Sequence, residues 1–271
     1  MPRLQFRRAS LSHAMQGRKQ SDRYEFRSRA VNLHMRCYSM AVRLGTAQKL
    51  KTREVSKSRV SELTLEIFRT AAAGSQPVPA GVAISAVSAS FALALLAKVV
   101  TVASRRKDFS GDITKAQQLA DSAKAASTRM LQYADADMTA FNEYILNAKL
   151  PYGTEEERKH REEMLASAAR KAIETPMAAA RAATEGIELC VEAVPIVHAL
   201  VAADLGTAAT LLGGALRVFL MCADSNVKLL AKNPSAYSDL MHGRPELETN
   251  AYRQAQSVLR QVTMSIEAAH R

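Results

Sequence analysis

The sequence predicts an all-α protein built as one bundle of long helices, and three observations support this. Hydrophobic residues make up 48% of the 271 residues, but aromatic residues contribute only 5%. Strands favour aromatic and β-branched side chains, whereas alanine and leucine dominate the apolar content here. Long segments repeat apolar residues at helical spacing, without strand-like alternation, a phosphate-binding glycine loop or an internal repeat.

The first two predicted helices differ in character. Ser61–Ala73 is short and amphipathic, and the glycine- and proline-containing residues 74–79 end it. Gly81–Ala103 is long, rich in small residues and interrupted by one charge, Lys98. Its 23 residues are enough to span a bilayer. Its many alanines and serines favour close packing inside a helical bundle.

Two long helices are predicted next, over Ile113–Leu150 and Thr154–Val191, separated by a Leu-Pro-Tyr-Gly turn. Thr154 is expected to cap the second helix, with Glu157 three residues later completing a capping box. Pro176 is expected to kink or divide that helix, because proline lacks the backbone N–H and crowds the preceding turn.

The remainder of the chain predicts two further helices. Residues 192–203 are apolar around Pro195 and suggest a loop with a short helix. Asp204–Lys232 predicts another long helix, which Asn233-Pro234 ends. Residues 244–271 predict a polar amphipathic helix that closes the chain.

The positive charge is confined to the N-terminus. Residues 1–53 hold 13 of the 37 Lys and Arg but only two acidic residues, whereas the remainder is electrically balanced. We therefore expect a basic, disordered extension over residues 1–56 and one helical domain over residues 57–271. A transit peptide and a nucleic-acid-binding arm are alternatives for the extension. Because the domain is balanced, we expect no nucleic-acid partner.

The three cysteines, Cys37, Cys190 and Cys222, are odd in number and far apart. This spacing argues against a disulfide framework and against a structural zinc site, so no metal is expected. The N-terminus shows no apolar secretory segment. A reducing, cytoplasmic location is the expectation.

Two carboxylates stand out in the third helix. Asp137 shares one helical stripe with Phe141 and Tyr144, so it is expected to face a packing surface, where a carboxylate needs a partner, a ligand or water. Asp135 points about 200° away, since each residue turns the helix by about 100°. Asp137 is therefore the better candidate for a site.

The middle third of the chain resembles the cyclodeaminase/cyclohydrolase family of folate one-carbon enzymes. That family includes the C-terminal half of formiminotransferase-cyclodeaminase and the methenyltetrahydrofolate cyclohydrolases. The likeness covers roughly residues 60–270, and residues 171–176 look like the family's A-x-x-V-P segment. The order D-x-D-x-x-A-F-x-x-Y…L-P-x-x-T-x-E-E-x-x-R carries it, through Asp135, Asp137, Ala140, Phe141, Tyr144, Leu150, Pro151, Thr154, Glu156, Glu157 and Arg161.

The resemblance implies a tetrahydrofolate derivative as substrate and a homodimer. The reaction would be hydrolysis of 5,10-methenyltetrahydrofolate or cyclodeamination of 5-formiminotetrahydrofolate. Both reactions need a group that moves protons, donors that orient the pterin and positive charge for the glutamate tail. Neither needs a metal or a redox cofactor.

The resemblance also implies roles for individual residues. Asp204 begins a run similar to the family's S-D-x-x-x-A-A element and is the expected acid/base, with a simple helix cap as the alternative. His198 and Asp137 are expected to orient the pterin or water. Arg106 and Lys107 are expected to hold the glutamate tail, with a solvated basic run as the alternative.

The chain departs from the family at a glycine-rich turn, P-x-P-G-G-G-(G/S). Both prolines and one glycine, Gly81, retain the pattern, whereas Ala80 and Val82 replace glycines. Gly81 and Ser85 are expected to contact substrate. The side chains of Ala80 and Val82 are expected to crowd a ligand, so restoring glycine is expected to raise folate affinity. Ala203 also replaces the serine before Asp204.

These departures keep two alternatives open. One is a degenerate family member that binds a folate-like ligand or a partner without turnover. The other is a membrane-associated protein built around Gly81–Ala103, with the basic N-terminus facing acidic lipid. The folate enzyme remains the leading hypothesis, with no membrane partner expected.

Overall fold

The computed structural model describes residues 58–230 and 234–269, so the predicted N-terminal extension and its boundary lie outside the described residues. Within those residues the secondary structure consists of helices without strands, which confirms the all-α prediction. Two short 3₁₀-helices, Val60–Glu62 and Pro234–Tyr237, accompany six α-helices. The α-helices are α1 Leu65–Ala72, α2 Gly81–Ser104, α3 Ile113–Asn147, α4 Glu155–Ala193, α5 Ala199–Leu230 and α6 Arg244–Ala269.

Helices α2 to α5 form a four-helix bundle. Each packs against the next along the chain, and α5 packs back against α2, while α6 lies over α5 and α4. The hydroxyls of Ser90 and Ser127 are 3.0 Å apart and set the register of the antiparallel pair α2 and α3. Asp137 lies ten residues after Ser127 on α3, and Gly81 lies nine residues before Ser90 on α2. Because the two helices are antiparallel, Asp137 is level with the beginning of α2.

Small residues allow the helices to approach closely at the centre of the bundle. A Cβ atom on Gly186 of α4 would lie 3.0 Å from a methyl of Leu93 on α2 and 3.2 Å from a methyl of Leu212 on α5. Three helices therefore meet at a position that has room only for hydrogen. The many buried alanines of α2 to α5 extend this close packing along the bundle.

Three predictions about the helices need correction. Helix α1 begins at Leu65, four residues after the predicted Ser61, because the Thr64 hydroxyl accepts from the backbone N–H of Ile67 at 3.2 Å and caps the helix there. Helix α4 runs unbroken through Pro176, which is buried inside the bundle, so proline does not divide it. Helix α5 begins at Ala199 rather than at Asp204, because the break made by Pro195 extends only as far as His198. Asp204 consequently lies inside the helix, in its second turn.

The predicted capping box at the beginning of α4 is confirmed. The Glu157 backbone N–H donates to the Thr154 hydroxyl at 3.1 Å, and Glu157 Oε2 accepts from the backbone N–H groups of Thr154 at 3.1 Å and Gly153 at 2.7 Å. The side chains of two residues therefore satisfy three backbone donors at and just before the beginning of the helix.

Replacing Thr154 by alanine is expected to lower the free energy of unfolding by about 1 kcal/mol, because the Glu157 N–H loses its acceptor. Urea unfolding followed by circular dichroism measures this change. Thr154→Ser keeps the hydroxyl and serves as the control, with a loss well below that of alanine. Equal losses in both variants would show that the hydroxyl does not cap the helix.

Two helices are long and apolar enough to cross a membrane by length and composition, α2 over its 24 residues and Ala199–Lys228 of α5. Of the apolar 18-residue stretch in each helix, 61% is buried in the bundle for α2 and 50% for α5. The described fold therefore uses both as core helices, and each also presents an outward face.

Candidate functional site

Asp137 is the most unusual titratable residue in the described structure. Its side chain lies on α3 and is only 7% exposed. It forms no hydrogen bond or ion pair with the residues that the structure describes. Burial raises the pKa of its carboxyl group from 3.8 to about 7, because loss of water disfavours the charged form. At neutral pH this carboxyl group can therefore both take up and release a proton.

The carboxyl group of Asp137 lies close to the beginning of α2 and to Cys222 of α5. Burial first, and then the negative charge of Asp137, raises the pKa of the Cys222 thiol. A Cβ atom on Gly81 would lie 3.3 Å from Cys222 Sγ and 3.7 Å from a methyl of Val218. One end of the bundle therefore brings together Asp137, the glycine that begins α2 and a half-buried thiol.

The N-terminus of α2 also offers hydrogen-bond donors. Its N-cap residue is Ala80, which has no side chain able to accept from the first N–H groups of the helix. Free N–H groups and the helix dipole favour a negative or electron-rich atom at this position. Ser85 lies one turn further along α2, on the same side as Gly81, and is 9% exposed.

Asp135 has different surroundings from Asp137. Its Oδ1 accepts from the backbone N–H of Val60 at 2.7 Å and so holds the 3₁₀-helix at residues 60–62 against α3. Burial raises the pKa of its carboxyl group, and the Val60 hydrogen bond opposes that rise. This contact gives Asp135 a structural role, so of these two carboxyl groups Asp137 is the one without a partner among the described residues.

The expectation that Val82 crowds a ligand at the glycine-rich turn is wrong. Val82 is 3% exposed and belongs to the hydrophobic core, so it does not face a ligand outside the helix. Ala80 is exposed with φ of −128°, which is ordinary extended backbone. Among the described residues, Gly243 has positive φ, and no residue other than glycine does. The turn at residues 77–82 therefore does not depend on left-handed backbone.

The predicted basic residues and His198 lie at the other end of the bundle. Arg106 forms a two-point ion pair with Asp108, with N–O distances of 2.9 and 2.8 Å. The Arg106 hydrogen bond lowers the pKa of Asp108, and a smaller contribution from His198 places the imidazole nearby. His198 Nδ1 accepts from the backbone N–H of Leu200 at 3.2 Å, so it caps the beginning of α5. Lys107 is exposed.

Asp204 is half-buried and lies within α5, so the alternative that it caps this helix is wrong. Its carboxylate has no hydrogen bond or ion pair to the described residues. Asp204 and Cys222 are 18 residues apart, which corresponds to five helical turns and about 27 Å. They therefore lie on the same face of α5 but far from each other.

The predicted site residues thus form two groups within one chain. Asp137, Gly81 and Ser85 lie at the end of the bundle where α2 begins, and Asp204, His198, Arg106 and Lys107 lie toward the end where α5 begins. The sequence analysis did not single out Cys222 as a site residue. The sequence feature that could have indicated a role for Cys222 is its spacing of five helical turns from Asp204, which puts both residues on one face of an apolar helix.

Comparison with known proteins agrees with this fold. The sequence profile of the formiminotransferase-cyclodeaminase family matches residues 64–242, about two thirds of the chain. The structure is similar to the crystal structure of formiminotetrahydrofolate cyclodeaminase from Thermotoga maritima, with a TM-score of 0.63 and 19% sequence identity. That match covers 78% of this chain and 100% of the other, and at this identity it shows the fold alone. None of the curated protein sequences matches the chain.

The fold and the profile match define a helical protein related to the folate cyclodeaminases. The chain belongs to the formiminotransferase-cyclodeaminase family. The resemblance seen in residues 133–161 of the sequence is thereby confirmed.

Proposed function

We propose that this protein is a folate one-carbon enzyme that hydrolyses 5,10-methenyltetrahydrofolate or cyclodeaminates 5-formiminotetrahydrofolate, with Asp137 as the group that moves the proton. The observation that carries the proposal is a buried, unpartnered carboxyl group with a pKa of about 7 beside the bare N-terminus of α2. A general acid/base works best when its pKa is near the working pH. This position for the proton-moving group differs from the Asp204 role that the resemblance implied.

The chemistry follows from the two protonation states of Asp137. In hydrolysis, the carboxylate removes a proton from the water that attacks the methenyl carbon and returns it to the ring nitrogen, whose bond to that carbon breaks. The new hydroxyl group releases its remaining proton to solvent as it becomes the formyl carbonyl. In cyclodeamination, the second folate nitrogen bonds to the formimino carbon and the bond from that carbon to its terminal nitrogen breaks. The proton of the attacking nitrogen and the proton of the carboxyl group pass to the terminal nitrogen, which leaves as ammonia. The N–H groups at the beginning of α2 are available to orient electron-rich atoms of the pterin, and the missing side chain of Gly81 permits their close approach.

The second group of residues completes this site if two chains combine. The outward faces of α2 and α5 are apolar, with large side chains such as Phe91 on α2 and Met221 on α5 being 54% and 61% exposed. These helices run antiparallel and side by side. A two-fold axis through the middle of their shared face would set the Asp204 end of one protomer against the Asp137 end of its partner.

In this homodimer the partner supplies Asp204, His198 and Lys107 to the site around Asp137. Arg106 is already neutralised by Asp108, so Lys107 is the better candidate to hold the glutamate tail. The dimer also covers apolar side chains that the described part of one chain leaves exposed. Burial of that surface is the favourable term for association.

Phe91→Glu is expected to convert the dimer to a monomer and to abolish turnover, because it places a charge at the centre of the apolar face. Light scattering after gel filtration measures the mass, and methenyltetrahydrofolate decay measures activity. Met264→Glu is the matched control, since Met264 is 67% exposed on α6, outside this face. A monomeric wild type with full activity would contradict the shared site.

The activity itself is tested by the loss of the methenyltetrahydrofolate absorbance band on adding protein, with ammonia release from formiminotetrahydrofolate measured in parallel. Asp204→Asn is expected to reduce the rate without changing the circular dichroism spectrum. Absence of both reactions, with folate binding seen by calorimetry, would contradict the enzyme and support the alternative of a folate-binding protein without turnover.

A further inference from the structure

Asp137 of α3 lies at the same height in the bundle as Met177 of α4. Lys171 of α4 and Glu143 of α3 form an ion pair with an N–O distance of 2.8 Å, which sets the register of these two antiparallel helices. Asp137 lies six residues before Glu143, and Met177 lies six residues after Lys171. Both are therefore about 9 Å from the ion pair along the bundle, in the same direction.

Cys222 of α5 reaches the same height. Asn226 Nδ2 donates to the Ala172 carbonyl at 2.7 Å, which sets the register of α5 against α4. Cys222 lies four residues before Asn226, and Met177 lies five residues after Ala172. Cys222 and Asp137 are therefore nearly level with each other, on the two helices that pack on either side of α2.

The sulfur of Cys222 also contacts the beginning of α2. A Cβ atom on Gly81 would lie only 3.3 Å from Cys222 Sγ, so the sulfur lies against the bare Cα of this glycine. Cys222 is half-buried and is a free cysteine among the described residues. Burial first, and then the charge of Asp137, raises the pKa of its thiol, so the side chain is uncharged at neutral pH.

Charged groups near the height of Asp137 have partners of their own. On α3, Asp135 accepts a backbone hydrogen bond at 2.7 Å. On α5, Asp224 pairs with Arg244 at 2.8 Å. The first turn of α2 carries no charged residue, and α4 presents the buried Met177 at this height. Burial is therefore what raises the pKa of Asp137, and the side chains that exclude water set its value.

We propose that Cys222 is a positioning residue of this site: its sulfur fills the space between α5 and the beginning of α2 and keeps water away from the Asp137 carboxyl group. The inference rests on the proposed function, since it concerns the group that moves the proton there. A cysteine side chain behaves as a small hydrophobe and only a weak donor. A serine hydroxyl at the same position would bind water or the carboxylate, and either contact stabilises the charged form of Asp137.

The pH dependence of stability measures this shielding without any need for turnover. Urea unfolding compares each protein that carries Asp137 with the same protein carrying Asp137→Asn. The stability difference grows as pH rises above the pKa of the unfolded chain, because folding then buries a carboxylate, and it stops growing at the pKa of the folded protein. We expect this limit at about pH 7 with Cys222 and about one pH unit lower with Cys222→Ser.

Two further variants separate shielding from other effects of the substitution. Cys222→Val keeps an apolar group of similar size and is expected to keep the limit at about pH 7. Cys190→Ser is the matched control, because it replaces the buried thiol of α4, about 20 Å along that helix from Met177. It is expected to lower stability at every pH and to leave the limit unchanged.

An unchanged limit in Cys222→Ser would overturn the proposal, and so would an equal fall in Cys222→Val or in Cys190→Ser. Methenyltetrahydrofolate decay over the same pH range tests the proposed function separately. If Asp137 moves the proton, the pH midpoint of the rate falls together with the stability limit in Cys222→Ser. A lowered stability limit in a protein without turnover would support the shielding by Cys222 and contradict the proposed function.

Discussion

Asp137→Asn is expected to lower turnover by about 10²- to 10⁴-fold, the range that a general acid/base contributes, and at the same time to stabilise the fold. Asparagine keeps the shape of the side chain but cannot exchange a proton. It also removes the cost of holding a carboxylate in a site that is 7% exposed. Loss of activity combined with a gain in stability is the pattern expected of a functional residue, since a structural residue loses both.

The size and pH dependence of this gain follow from the pKa of Asp137. Its value of about 7 in place of 3.8 means that the folded protein binds the proton more tightly than the unfolded chain. Wild-type stability should therefore fall by about 1.4 kcal/mol per pH unit as pH rises from 4 to 7. The difference is complete above pH 7, where Asp137→Asn is expected to be more stable by about 4 kcal/mol.

Urea unfolding at pH 4, 6 and 8 measures the stability of both proteins, and methenyltetrahydrofolate decay over the same range measures activity. The two stabilities are expected to converge toward pH 4, where Asp137 is protonated in the folded protein. Asp135→Asn is the neighbouring control, and it is expected to weaken the contact with Val60 and to gain far less stability at pH 8 than Asp137→Asn, because the Val60 hydrogen bond opposes the rise in the Asp135 pKa. Asp137→Asn with normal turnover would exclude the carboxyl group from catalysis.

Val82→Gly is expected to lower the free energy of unfolding by about 3 kcal/mol, by removing buried methyl groups and adding the helix cost of glycine. The expected fall in melting temperature is about 10 °C for a domain of this size. This is the opposite of the benefit expected from restoring the glycine-rich turn. The side chain is part of the core, so the substitution leaves a cavity instead of opening a ligand site.

Ala80→Gly is the matched control, because Ala80 is exposed and precedes the helix. Its stability is expected to remain within about 0.5 kcal/mol of wild type. Differential scanning calorimetry of both variants makes the comparison. A Val82→Gly protein as stable as wild type would contradict the core assignment.

Much of the fold could be predicted from local patterns. The capping box at Thr154 and Glu157 placed the beginning of α4, and the apolar spacing located α2 and α3 closely. The beginning of α5 was placed five residues late, because Asp204 resembles a helix cap. His198 performs that function instead, through an imidazole nitrogen that sequence patterns seldom assign to capping.

The helical class, the family and the inward carboxylate at Asp137 could all be predicted from the sequence, because periodicity and motif order are properties of neighbouring residues. The grouping of these residues follows from how the helices pack in three dimensions. This packing placed Cys222 and Gly81 beside Asp137 and put Asp204 about 27 Å along α5, since one residue adds about 1.5 Å of helix. It also decided the pKa of Asp137, because burial depends on which helices surround the carboxyl group.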